Sequence, residues 1–208
     1  RRPPMTSTRT RKSADQRKAE IVDAAIKLAG EIGPDRLTTE QLAKEVGISQ
    51  PGIFRHFPTK GDIWWAVAQR IGGGLGSNRG QTGNADAKPA GELRNLVLNH
   101  LSFIGTTPAI PAILFSRELH VENEKMRSFF EGLMATRHRG ISKLIAKEIT
   151  AGQFAETLNP DDAAYLILAL IQGLAMRWSM SAHNFNLVAE GKRLLDLLLD
   201  GFKPKDEK

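Results

Sequence analysis

The 208-residue chain has no cysteine, a single tyrosine and only 6% aromatic residues. Without thiols it has no disulfide framework, no thiolate metal site and no cysteine nucleophile, and a reducing cytoplasm is the expected setting. No stretch approaches about 18 consecutive uncharged apolar residues, so no membrane span is predicted. The basic, polar residues Arg1 to Ser13 lack the apolar run and small-residue cleavage site of a secretory signal. The five histidines (His56, His100, His120, His138 and His183) are scattered, with no HExxH or comparable ligand spacing. Gly72-Gly73-Gly74-Leu75-Gly76 has neither the spacing nor the preceding strand of a dinucleotide fingerprint, and no GxSxG is present. No metal, cofactor or catalytic residue is therefore expected.

The net charge is +6, and the excess gathers early, where Arg1, Arg2, Arg9, Arg11, Lys12, Arg17 and Lys18 face only Asp15. Such an arm suits a polyanion, although a solvated tail has the same composition. Apolar residues follow helical spacing throughout, and no strand pattern competes. Ser13-Ala14-Asp15-Gln16 has the form of a capping box ahead of Ile21, Ala25, Leu28, Ala29 and Ile32, which predicts a helix over 13–32 closed by Gly33-Pro34. Thr38-Thr39-Glu40-Gln41 repeats the pattern for a short second helix ending at Gly47. Ser49 caps a third helix, with Pro51 tolerated in its first turn, and Thr59 to Asp62 opens a fourth. Residues 72–91 are rich in Gly, Asn, Ala and Gln and read as a mobile connection. Helices are then expected near 91–106, 109–120, 124–151, 161–181 and 187–202. The expected architecture is all-α: a basic arm and three-helix helix-turn-helix domain over 1–60, then a larger helical domain over 61–208.

Two short helices joined by Val46-Gly47-Ile48-Ser49 have the spacing of a helix-turn-helix, in which the start of the second helix enters the major groove. Small or polar residues are wanted there, and Gln50, Pro51 and Gly52 qualify. Gln50 can pair with adenine N6 and N7, Pro51 can touch a thymine methyl, and Gly52 lets the backbone approach; Arg55 and His56 lie one turn on. An ordinary αα-hairpin shares this spacing.

The fuller string from Thr38 to Lys60, TTEQLAKEVGISQPGIFRHFPTK, closely resembles the TetR family signature. The resemblance covers the N-terminal third and implies a helical dimer that represses transcription until a small molecule binds its C-terminal domain. It implies that Thr39 bonds a phosphate, that Gln50, Pro51, Gly52 and Arg55 face bases, and that Phe54, His56 and Lys60 sit at phosphates. The family usually has tyrosine where Phe54 stands, so a hydroxyl bond to phosphate is lost here.

In the larger domain, Leu166, Ile167, Leu168, Leu170, Ile171 and Leu174 surround their helix, which must be buried on most sides. With Leu195, Leu198 and Leu199 of the last helix, the residues Leu166, Ile167, Leu170 and Leu174 are expected to form a four-helix homodimer interface. His100, Phe103, Phe115, Phe130, Met134, Arg137, Ile171 and Trp178 are candidates to line a mostly apolar effector pocket, a reading carried mainly by the resemblance. The expected function is thus a repressor that binds a palindromic double-stranded operator under control of a small apolar effector. A helical-bundle enzyme on an apolar substrate would instead turn over without DNA, and a sequence-indifferent DNA binder would lose its hold with salt.

Gln50→Ala should relax base preference by about 1–3 kcal/mol, whereas Lys60→Ala should weaken binding to every sequence alike and flatten its salt dependence. Titrations of both variants against specific and scrambled duplexes across a salt series check this. Equal losses on all sequences for both would reject the division of roles.

Overall fold

A computed structural model of the chain describes residues 13–77 and 89–205. Among the described residues it has ten helices and no strand: α1 (Ala14–Ile32), α2 (Thr39–Val46), α3 (Gln50–Phe54), α4 (Lys60–Ser77), α5 (Pro89–Thr106), α6 (Ala109–Leu114), α7 (Arg117–Glu122), α8 (Glu124–Thr150), α9 (Pro160–Met180) and α10 (Leu187–Asp200). The fold class is the all-α one anticipated from the sequence. The arm residues Arg1, Arg2, Arg9, Arg11 and Lys12, and positions 78–88 of the connection, lie outside the described residues.

The helix starts follow their local chemistry. Ser13 with Gln16, and Thr38 with Gln41, form reciprocal capping boxes that satisfy N–H groups the first turn cannot pair. The Asn159 side chain accepts from the N–H groups of Asp161 and Asp162, with Pro160 and two acids filling the first turn of α9. Gly47 ends α2 in the left-handed region, φ 72°, which gives the tight turn into α3.

Two expectations change. The segment expected as one helix over 109–120 is two, because Ser116 leaves the helical region and caps α7 by accepting from Leu119 N. Residues 72–77, expected as the start of a mobile connection, continue α4. Glycine there admits aromatic rings: a Cβ on Gly72 would sit 2.6 Å from Phe129 Cζ, and one on Gly74 2.4 Å from Phe103 Cζ. Close ring-to-backbone packing, not flexibility, explains those glycines.

α1 packs on α2, α4 and α6, while the larger body is built from α8 on α9, α10 on α5 and α9, and α5 on α8. The most apolar 18-residue window of α9 has mean hydropathy 1.3, enough by length and composition to cross a membrane. Here α8, α10, α5 and α6 pack round it, with Ala163, Ala164, Ile167, Ile171 and Leu174 buried against them.

Glu148 of α8 is completely buried and neither carboxylate oxygen has a hydrogen-bond partner. Burial, and then the nearby Glu92, push its carboxyl pKa up. A carboxyl raised in the fold costs stability above its unfolded pKa, and the cost disappears as the solution becomes acidic enough to protonate both states. Glu148→Gln should therefore be more stable than the wild type at pH 7, with the advantage gone by about pH 4, below the unfolded value; urea melts at the two pH values check this.

Candidate DNA-binding and effector sites

Ser49 caps α3 through Gly52 N, and buried Ile53 and Phe57 hold the short helix down on its under side. Its outer side presents Gln50, Pro51 and Arg55, with Lys60 exposed at the start of α4. Gln50 Nε2 donates to Thr39 Oγ1 at 2.7 Å, drawing the starts of α2 and α3 together. Thr39, Gln50, Pro51 and Gly52 thus share one corner of the surface. Phe54 is 39% exposed, so its ring reaches the surface even without the hydroxyl a tyrosine would bring. His56 faces elsewhere, into the open cleft that α1 and α4 line together with Asp15, Lys18 and Asp62.

Inside the larger body lies a nearly closed cavity of about 20 Å³, room for little more than one water-sized probe. His100, Phe115, Phe130, Met134 and Ile171 line it as anticipated, beside Leu168, Gln172 and Ala175. Phe103 and Trp178 do not. Phe103 is spent on Gly74, and Trp178 Nε1 donates to the Phe185 carbonyl at 3.0 Å while its ring lies against His183. Arg137 is buried next to the cavity and donates to the Leu75 carbonyl at 3.1 Å. His100 is buried with Nδ1 unpartnered, and burial, then the Arg137 charge, lowers its pKa to about 3, so the ring is neutral at pH 7.

Sequence reasoning missed Ile71 and Leu75 of α4 and Ile110 and Pro111 of α6, all in the lining. The four-residue spacing of Ile71 and Leu75 was the available signal, hidden by the glycines around it. An open cleft of about 400 Å³ shares Leu114, Phe115, Phe130, Met134 and Gln172 with the cavity and adds His120, Arg127 and Glu131. Phe115, 37% exposed, stands at the shared wall.

On the far side, α9 and α10 expose a continuous apolar groove formed by Leu166, Leu170, Leu194, Leu197 and Leu198. Leu166 and Leu197 are 51% and 68% exposed. Of the residues expected at an interface, Ile167, Leu174, Leu195 and Leu199 are buried in the chain's own core, because they fall on the opposite helical faces. Leu194 and Leu197, members of the same leucine-rich stretch of the last helix, take outward positions.

Two links join the DNA-facing helices to the cavity. α6, whose residues line the cavity, also packs on α1. Ser116 Oγ, at the α6–α7 break, donates to Asp35 Oδ1 in the turn between α1 and α2. Exposed pairs Lys27 with Glu45 and Arg70 with Asp23, each 2.7 Å, add weaker ties from α1 to α2 and α4.

Two family models match the chain. Residues 21–67 match the model of bacterial regulatory proteins of the tetR family, and residues 70–201 match that of the YsiA-like protein C-terminal region. The HTH-type transcriptional regulator TtgR of Pseudomonas putida is 25% identical over 197 residues, 92% of this chain and 94% of that protein. Nucleoid occlusion factor SlmA of Haemophilus ducreyi is 30% identical over 128 residues, 59% of this chain, and the chain spans only 63% of its length. Among solved structures, the fatty acid degradation regulator FadR of Bacillus halodurans superposes with TM-score 0.75 at 20% identity, covering 94% of this chain and all of that one. FadR of Bacillus subtilis in complex with stearoyl-CoA gives 0.68 at 19% identity, covering 88% and 98%.

Proposed function

The chain belongs to the TetR family of bacterial regulatory proteins, and from that premise we propose that it is a homodimeric repressor that reads a palindromic operator through Gln50, Pro51, Gly52 and Arg55. The observation that carries the reading is the α2–α3 corner, where small and polar residues are exposed above a buried Ile53 and Phe57 anchor. That is the arrangement a helix needs to enter the major groove without apolar bulk in the way. Thr39, Phe54 and Lys60 flank the corner and are assigned to phosphates, and His56 approaches a phosphate from the α1 side.

Dimerisation is supported by the groove of Leu166, Leu170, Leu194, Leu197 and Leu198, since an apolar surface of that kind is normally covered. A twofold copy would complete a four-helix bundle and supply the second recognition helix that a palindrome requires. The chain would work in the cytoplasm, where the operator is.

The effector is assigned to the cavity lined by His100, Phe115, Phe130, Met134 and Ile171. FadR of Bacillus subtilis, similar in fold, was solved with an acyl thioester, which favours an apolar ligand here. Because the cavity is nearly closed, a ligand must displace its walls, and two of those walls are α4 and α6. α6 abuts α1 and continues to the Ser116 bond with Asp35, so expansion at the cavity reorients the helices that face DNA. Ligand and operator affinities are then coupled through one bistable element.

Selection from a randomised duplex pool at near-physiological salt tests the reading. Enrichment of a palindrome is expected, with Leu197→Glu giving a monomer by sedimentation that no longer enriches it. Retention without sequence enrichment, abolished by salt, would leave a nonspecific binder and reject the repressor.

A further inference from the structure

The cavity is apolar apart from two side chains. Of its lining side chains only His100 and Gln172 are polar, and the Gln172 amide is turned to Met134 Sδ at 3.8 Å. His100 is 6% exposed and its Nδ1 has no partner, which a buried ring nitrogen can sustain only at a cost. The buried Arg137 guanidinium, 8% exposed, donates to the carbonyl of the lining residue Leu75, and its charge disfavours a positive charge on the imidazole.

Plain packing does not explain this pair, because leucine or phenylalanine at position 100 would fill the space without stranding a nitrogen. A neutral imidazole beside a buried guanidinium is a donor set for an anion. The imidazole supplies a directed N–H, and the guanidinium supplies the charge that makes desolvating a carboxylate tolerable. The other walls, including Ile71, Leu75, Ile104, Ile110 and Leu168, can receive only hydrocarbon.

Resting on the assignment of the effector to this cavity, we propose that the ligand is an aliphatic carboxylate whose carboxyl group is held inside the protein, accepting from His100 Nδ1–H beside Arg137. Its chain runs towards Phe115 and the open cleft. The carboxylate is the buried end, so a ligand whose carboxyl is esterified with a large head cannot take the same pose.

Thermal unfolding of the full chain with decanoate, 1-decanol, methyl decanoate and decanoyl-CoA, each at the same free concentration below its micellar limit, tests this. Decanoate should raise Tm, with alcohol and ester binding at least tenfold more weakly. His100→Leu should weaken decanoate at least tenfold without changing the alcohol or ester, and His100→Gln, which keeps an N–H donor, should retain most of the response. Arg137→Met reports the same loss if His100→Leu does not fold. Equal responses to acid, alcohol and ester, or a decanoate response indifferent to His100→Leu, would overturn the carboxylate assignment while leaving the apolar cavity in place. A response to decanoyl-CoA alone would put the head group outside and also overturn it. Silence from all four compounds would overturn the assignment together with the effector site it rests on.

Discussion

Helix α6 is six residues long, and four of them, Ala109, Ile110, Pro111 and Ile113, are buried. It wedges between α9, where it walls the cavity, and α1, which carries the DNA-facing helices. A closely packed interior does not deform smoothly, so a shift of α6 on one side has to be answered on the other. In the proposed reading, communication between the two halves of the molecule would run through this double contact. The break at Phe115 and Ser116 makes it possible, because a continuous helix through that point would place the Ser116 hydroxyl in a regular turn and not against Asp35.

The same economy appears in α4. It leaves the recognition unit at Lys60, passes the cavity at Ile71 and Leu75, and receives two aromatic rings where it has no side chains of its own. Trp65, set edge-to-face with Phe129 and with the Lys125 ammonium over its ring, extends that contact along the helix. These contacts seat α4 firmly between the recognition unit and the cavity. Among the described residues the buried polar groups are few, and one of them, His100, lines the cavity with Nδ1 unpartnered.

The α2–α3 corner was legible because its requirements are local. Caps at Ser13, Thr38 and Ser49, the left-handed Gly47 and the polar start of α3 are each set by residues within one turn. The cavity was half legible: Phe115, Phe130, Met134 and Ile171 carry apolar side chains at helical spacing, but nothing local distinguishes them from Phe103 and Trp178, which pack elsewhere. Only the register of one helix against another separates lining from filling. Which leucines of α9 face outward was not legible for the same reason, since α9 is apolar all round and its sequence does not say which side is left over.

By itself, then, the sequence determined helical class, helix starts, the turn between α2 and α3 and the identity of the residues presented there, because capping, turn geometry and amphipathic period act over about one helical turn. Tertiary structure alone decided that 72–77 is packed helix, that Ser116 just beyond α6 bonds Asp35, which leucines of α9 and α10 face outward, and that His100 is enclosed among apolar side chains. Those outcomes depend on contacts between residues far apart in the chain, such as Arg137 with Leu75, 62 positions apart, and Ser116 with Asp35, 81 apart, and no local pattern encodes a partner at that distance.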